Sequence, residues 1–136
     1  MAIKGGKELR GCVGLCNPFD LYTLDMYLET FLFGTFHRVL GHHMLRLFCE
    51  HIDALRPLEK KLGAKIEYLI QKISTIRDFD RYVTAKAYGY DSPHSYYRKN
   101  SSVTLIEKLQ IPTLFISSLD DPIVTYHGSA NNNLAR

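Results

Sequence analysis

The stretch TLFISSLDDP, residues 113–122, decides the fold of this chain. Its first seven residues are rich in types that favour β-strands, and they run directly into two aspartates and Pro122. We therefore predict a buried strand that ends at this acidic pair. An aspartate just past the carboxyl end of a parallel strand lies where α/β sheets place their active sites, so Asp120 and Asp121 are candidate site residues. The alternative is that both aspartates form a solvated turn fixed by Pro122.

A second apolar run, RGCVGLC at residues 10–16, is followed by the turn sequence NPFD at residues 17–20. Short apolar runs bounded by proline and asparagine are typical of buried strands. The run does not alternate between apolar and polar residues, which indicates a strand covered on both faces, as in a parallel sheet. Cys12 and Cys16 would then point to the same face, and we expect both to be buried free thiols.

Helical periodicity fills the chain between the two strands. Apolar residues recur every three or four positions from Leu24 onward, which predicts amphipathic helices. The longest apolar stripe consists of Phe36, Leu40, Met44, Phe48, Ile52 and Leu55. Gly34 and Thr35 should weaken the helix before this stripe, Pro57 should kink or restart the helix after it, and Gly63 should end it.

Shorter helices are predicted farther along the chain. Residues 64–74 form one helical pattern, Ser74 or Thr75 can cap the next helix, Pro93 opens another, and residues 103–109 form the last. The order of strand, helices and strand indicates an α/β protein. Two strands are too few for a stable parallel sheet, so the sequence predicts part of a larger α/β fold.

Composition and charge exclude several classes of protein. The chain has 136 residues, a formal net charge of +3, 23% charged residues and 46% hydrophobic residues, which is typical of one globular domain. Its basic residues are scattered, so no nucleic-acid partner is predicted. No segment approaches the roughly 20 apolar residues of a transmembrane helix. The first residues lack the apolar core of a signal peptide, and we expect an intracellular or an incomplete chain.

The polar residues suggest few other sites. His43 and His51 lie on one helical face without acidic or thiolate partners at metal-ligand spacing, so we expect the histidines to be surface or packing residues and predict no metal. Neither a glycine-rich phosphate loop nor the G-x-S-x-G of a serine nucleophile is present, and no cofactor is predicted. The aromatic residues are expected in the core, with an apolar pocket for an acyl chain as the alternative.

Four motifs in order resemble one known family. They are GCVGLCNPFDL at residues 11–21, STIRDFD at 74–80 with Thr84, YGY at 88–90 with SYY at 95–97, and IPTLFI at 111–116 leading into the acidic pair. In this order and spacing they resemble the carboxyl-terminal half of α/β-hydrolases of the YheT type. That branch also holds the abhydrolase-domain lipid esterases of animals and plants. The resemblance covers about residues 8 to 126.

The resemblance implies a partial α/β-hydrolase fold over residues 1–126. The two strands would be the sixth and seventh of the hydrolase sheet, the helices at about residues 24–109 would form the cap over the substrate pocket, and residues 127–136 are expected to be a disordered tail. The family's catalytic acid follows the seventh strand. Asp121 is therefore the implied acid, with Asp120 as the alternative, and its role would be to orient the catalytic histidine.

The resemblance also implies what the chain lacks. In this family the serine nucleophile precedes the acid and the histidine follows it. The chain has no nucleophile motif, and His127 lies too close to Asp121 to match the family's histidine. We therefore expect a lipid-type carboxylic ester hydrolase, acting on acylglycerols or phospholipids and cytoplasmic or membrane-associated, of which this chain is an inactive fragment.

Two other classes of function remain open from the residues. One is a non-catalytic module that binds a lipid or another protein, and the other is a small helical metal protein built on the histidines. Unpaired strands also template association, so self-association or aggregation of the chain is predicted.

Overall fold

The computed structural model describes residues 9–124 of the chain, so the predicted tail at residues 127–136 and His127 lie outside the described residues. Along the sequence, one β-strand precedes a series of helices and a second β-strand follows it. The strands are β1 (Cys12–Leu15) and β2 (Thr113–Ile116), and the helices are α1 (Leu21–Thr30), α2 (Thr35–Glu50), α3 (Ile52–Leu55), α4 (Glu59–Leu62), α5 (Ile66–Ile70), α6 (Ile76–Phe79), α7 (Ala85–Ala87) and α8 (Pro93–Asn100). Turns of 3₁₀-helix occupy Phe31–Gly34, Arg56–Leu58 and Val103–Lys108, and a π-helical turn spans Asp80–Thr84.

The chain divides into two compact units. Within residues 9–124, the first consists of the residues up to Leu24 together with those from Asn100 onward, and the second is Asp25–Lys99. The first unit contains β1 and β2, which pair in parallel with Cys12 opposite Thr113 and Leu15 opposite Ile116. The prediction of two parallel strands and a mostly helical remainder is confirmed, and this content is that of a partial α/β-hydrolase fold.

Contacts around Phe19 hold the first unit together. The Phe19 ring is buried and meets Phe115 of β2 edge to face, with 4.7 Å between the ring centres. The carbonyl of Phe19 accepts a hydrogen bond from the Val103 amide at 3.0 Å, and the buried Ser101 hydroxyl accepts one from the Leu21 amide at 2.9 Å. These bonds join the start of α1 to the segment that leads into β2.

The strands are more exposed than the sequence predicted. Cys12, Cys16 and Cys49 are all exposed free thiols, so the expectation that Cys12 and Cys16 are buried is wrong. Val13 and Leu15 of β1 pair with Leu114 and Ile116 of β2, and all of these apolar side chains are exposed. The physical reason is that the described part of the chain contributes two strands to the sheet, which leaves its surface accessible. Self-association through this surface stays a prediction.

The second unit has its own hydrophobic core. Phe48 of α2 and Phe79 of α6 meet edge to face at 5.6 Å. Around them lie the buried side chains of Leu62, Ile66, Leu69, Ile73 and Val83. Of the predicted apolar stripe only Phe48 is fully buried, while its other members are half-buried against the same core or beside it. A stripe of this kind explains why α2 forms and which side of it packs inward.

Local sequence signals set most helix ends of the second unit. Pro57 interrupts the chain at a 3₁₀ turn, and Gly63 ends α4 with a φ of 73°, which glycine adopts without steric cost. Thr75 caps α6: its hydroxyl accepts the Asp78 amide, while the Asp78 carboxylate accepts the Thr75 amide. These predictions are confirmed. The helix predicted over residues 64–74 is shorter, because α5 ends at Ile70 in a turn.

Candidate functional site

Asp121 lies in the first unit, in the turn that follows β2. Its Oδ1 accepts hydrogen bonds from the amides of Ile123 at 2.8 Å and Val124 at 2.9 Å. These amides, that of Val124 foremost, hold the pKa of the Asp121 carboxyl below its ordinary value. The Cys16 thiol, just past the end of β1, makes the smallest contribution in the same direction. Asp121 is therefore an ionised acceptor at neutral pH.

Asp120 is held differently. Its side chain is exposed and accepts a hydrogen bond from the hydroxyl of Ser118, two residues earlier. Within residues 9–124 no backbone amide donates to Asp120, whereas Asp121 accepts two such bonds. Because β1 and β2 are parallel, their carboxyl ends meet at one edge of the sheet, and Asp121 follows β2 at that edge. The strand pattern identified both acids, and the family resemblance implied Asp121 with Asp120 as the alternative.

The described histidines all lie in the second unit. His37 is buried, while His42, His43, His51 and His94 are exposed. His127, the remaining one, falls outside the described residues, so the described portion of the first unit places no histidine beside Asp121. Within residues 9–124 no group of three or more His, Cys, Asp or Glu side chains is arranged to hold a metal ion.

A buried charged network in the second unit was not found from the sequence. Asp25 of α1 accepts a hydrogen bond from His37 Nε2 at 3.0 Å with one carboxylate oxygen and from Arg77 Nε at 2.8 Å with the other. Arg77 also binds both oxygens of Glu29, at 2.7 and 2.9 Å. Asp25 and His37 are each about 4% exposed. Because both oxygens of Asp25 accept, Nε2 of His37 is the protonated ring nitrogen.

The same network borders a cavity of about 330 Å³. The lining residues are Glu29, Phe33, Gly34, His37, Arg38, Thr75, Arg77, Asp78 and Arg81. This surface is polar and carries three arginines against two acids, so it suits a charged or hydrogen-bonding group better than an acyl chain. The one signal in the sequence was Arg77, which belongs to the STIRDFD motif; nothing in the spacing of Asp25 or His37 indicated their pairing.

A half-buried acid lies in the π-helical turn. Asp80 accepts a hydrogen bond from the Tyr97 hydroxyl at 2.5 Å. Burial raises the pKa of the Asp80 carboxyl, although the hydrogen bonds from Tyr97 and Thr84 act in the opposite direction. Burial raises the pKa of the Tyr97 hydroxyl as well. Tyr88, Tyr90 and Tyr96 contact one another beside this pair, so this part of the tyrosine-rich segment forms an aromatic cluster.

Comparison with known proteins gives several relatives of similar identity. The chain is 32% identical to a monoacylglycerol lipase of Saccharomyces cerevisiae over 119 residues, which is 86% of this chain and 26% of that protein. It is 30% identical to an abhydrolase domain-containing protein of Dictyostelium discoideum, over 85% of this chain and 28% of that protein. It is 31% identical to the putative esterase YheT of Escherichia coli, over 80% of this chain and 31% of that protein.

These similarities cover nearly all of the described residues but a small share of each relative. The chain spans about a quarter to a third of the length of the curated relatives that it matches. No protein-family profile matches the chain, and no solved structure matches it. Within residues 9–124, none of the helices combines the length and the apolarity that a membrane-spanning helix needs.

Proposed function

Because the chain belongs to the α/β-hydrolases of the abhydrolase-domain and YheT type, we propose that it supplies the cap and the triad acid of a carboxylic ester hydrolase that acts on lipids. In this proposal residues 1–126 are a partial hydrolase domain, with the cap at about residues 24–109. The relatives named as monoacylglycerol lipase and as esterase support an ester of a lipid as the substrate class. Acylglycerols and phospholipids are the proposed substrates.

The observation that carries this proposal is the state of Asp121. A triad acid must be an ionised acceptor with a fixed orientation, because it holds the histidine in one tautomer and stabilises the imidazolium that forms. Two backbone amides fix the Asp121 carboxylate and keep its pKa low. One carboxylate oxygen accepts both amides, which leaves the second oxygen to receive a histidine N–H. This arrangement favours Asp121 over Asp120.

The proposal also states that the chain by itself is inactive. A triad acid acts through a histidine on a nucleophile, and an acid without them cannot activate a hydroxyl group. The sequence contains no G-x-S-x-G motif. The purified chain should therefore leave p-nitrophenyl butyrate unhydrolysed above the buffer rate. Hydrolysis by the chain that is lost in Asp121→Asn would overturn this expectation.

The acid assignment can be tested in a hybrid enzyme. The segment of the Saccharomyces cerevisiae monoacylglycerol lipase that aligns with this chain over 119 residues would be replaced by the chain's own residues. In a hybrid that folds and hydrolyses monoacylglycerol, Asp121→Asn should lower kcat by about 10³- to 10⁴-fold, as expected for loss of a triad acid. Asp120→Asn is the matched control and should leave kcat close to that of the parent hybrid. The reverse pattern would assign the acid to Asp120.

A second candidate is a non-catalytic lipid-binding or protein-interaction module. Its support is that the second unit has its own core and a cavity of about 330 Å³ that is lined by its own residues. Saturable binding of a fluorescent fatty acid by the chain, unchanged by Asp121→Asn and abolished by Arg38→Gln, would favour this function. Inactivity of the hybrid enzyme with intact folding would do so as well.

A further inference from the structure

The turn between α1 and α2 presents apolar side chains to solvent. Phe33 is 91% exposed and Leu32 is 54% exposed. Their φ angles are 56° and 45°, and Gly34 follows with 73°, so three successive residues adopt the left-handed conformation. Residues with bulky side chains rarely adopt it, because it is strained. Packing of these two side chains does not offset the strain, because both are largely in water.

Stacked aromatic rings and hydrogen bonds hold the base of this exposed turn. The ring of Phe31 lies between those of Tyr27 in α1 and Phe36 in α2, with centre-to-centre distances of 4.8 and 5.9 Å. The Thr35 hydroxyl and amide both donate to the carbonyl of Leu32, the hydroxyl at 2.6 Å. The side chains of Leu32 and Phe33 therefore project outward from a base of packed aromatic rings.

Basic groups lie next to the exposed turn. Phe33 and Arg38 line the same cavity, together with Arg77 and Arg81. Arg77 forms ion pairs with Asp25 and Glu29. Arg81 forms one with Asp78, with 3.4 Å between Nη1 and Oδ1. Arg38 is exposed and, within residues 9–124, none of the ion pairs involves it. Val39, in the second turn of α2, adds a further exposed apolar side chain.

We propose that this turn is a membrane-docking surface: Leu32 and Phe33 insert into the interfacial region of a phospholipid bilayer, and Arg38 contacts the phosphates of anionic lipids. Aromatic and leucine side chains flanked by arginine form the usual composition of interfacial segments. Burial of the phenylalanine ring supplies the hydrophobic part of the attraction. Arg38 supplies an electrostatic part that depends on the charge of the surface.

The small size of the surface favours a bilayer over a protein partner. A stable protein interface buries about 800 Å² on each partner, and two projecting side chains with one arginine cannot approach that area. A bilayer accepts single side chains without a complementary pocket, so their contributions combine with those of neighbouring charges. The proposal does not depend on the role of Asp121, and either can fail without the other.

The absence of tryptophan from the chain permits a direct test. Phe33→Trp and Tyr88→Trp each place a single tryptophan at a highly exposed aromatic position, and Tyr88, which is 72% exposed, does not line the cavity. With vesicles of equimolar phosphatidylcholine and phosphatidylserine, the emission of Trp at position 33 should shift to the blue. The emission of Trp at position 88 should stay unchanged. A shift at position 88 alone, or at neither position, would overturn the proposal.

Co-sedimentation with the same vesicles separates the two contributions. Phe33→Ser should lower the partition coefficient about tenfold or more. Arg38→Gln should lower it about fivefold on these vesicles and leave it unchanged on pure phosphatidylcholine. Leu114→Ser, at a 57% exposed position in the sheet, is the control for non-specific adsorption and should bind as the parent chain does. Circular dichroism confirms that each variant keeps its helix content.

Other binding surfaces or other partners of this turn would give different results. Loss of vesicle binding in Leu114→Ser but not in Phe33→Ser would assign the binding to the exposed sheet and overturn the proposal. Self-association that Phe33→Ser abolishes, measured by sedimentation velocity without vesicles and accompanied by no vesicle binding, would identify a second copy as the occupant. Equal binding by the parent chain and Phe33→Ser would also refute membrane insertion of this turn.

Discussion

Replacing Gly41 by alanine tests the close contact between α2 and α6 on which the second unit depends. Gly41 is buried at the point where α2 passes the start of α6. A Cβ atom at this position would lie 2.3 Å from the carbonyl carbon of Thr75 and 2.6 Å from the amide nitrogen of Ile76. Both neighbours are backbone atoms, so no side-chain rotation can relieve the clash. Either α2 or α6 must move.

The size of the effect follows from three contributions. Overpacking of a tight contact costs about 1–3 kcal/mol. Displacement of Thr75 weakens the cap of α6, which is worth about 1 kcal/mol. Alanine gains about 1 kcal/mol over glycine in a helix interior, and this offsets part of the loss. The free energy of unfolding should therefore fall by about 1–3 kcal/mol. The displacement would also move Arg77 of α6 away from Asp25 and Glu29.

Urea denaturation followed by far-ultraviolet circular dichroism measures this loss. His42→Ala is the matched control, because His42 is the next residue of the same helix and is exposed. Its effect should stay within about 0.5 kcal/mol. If Gly41→Ala were as stable as the parent chain or more stable, the helix propensity of alanine would outweigh the contact. The reasoning that α2 and α6 meet through backbone atoms at Gly41 would then be refuted.

Two further predictions concern the charged residues of the second unit. Asp25→Ala should lower the free energy of unfolding by about 3–5 kcal/mol, because it leaves the buried His37 without its acceptor and removes one of the two carboxylates that bind Arg77. The control Arg46→Ala, which breaks the exposed pair with Glu50, should cost less than about 1 kcal/mol. Equal losses in both variants would contradict the stabilising role of the buried Asp25. Burial acts to raise the pKa of the Asp78 carboxyl, but hydrogen bonds from Thr75 and Ser74 lower it below its ordinary value. The contribution of Asp78 to the free energy of unfolding is therefore present above the pKa that its carboxyl has in the unfolded chain. It is lost as the pH falls through the lower pKa of the folded protein. Asp78→Ala should therefore lower the free energy of unfolding by about 1 kcal/mol at neutral pH and by less in acid. Urea denaturation at a series of pH values across the acidic range measures this difference. A difference between variant and parent chain that does not change with pH would refute this account.

Local signals were sufficient where neighbouring residues alone decide the conformation. The capping of α6 by Thr75 and Asp78 involves residues three positions apart, and the stop at Gly63 depends on its own φ angle. The parallel strands were predictable because apolar runs without alternation favour parallel sheets. The exposed thiols of Cys12 and Cys16 were not predictable, because burial depends on which other elements cover a strand and not on the strand's own residues.

The candidate site shows the same division. Asp121 became a candidate because its position just after a strand is visible in the sequence, and the family resemblance already placed it before Asp120. The amides of Ile123 and Val124, whose direction depends on the path of the turn, add a structural argument for the same proposal. The sequence by itself determined the helical periods, the caps, the two strands and the absence of a nucleophile motif. Tertiary structure alone decided that Asp25, His37 and Arg77 meet, because residues 12 and 52 positions apart come into contact only when α1, α2 and α6 pack together. It also decided that Phe33 adopts a left-handed conformation and points into water, since nothing in the neighbouring residues indicated either feature.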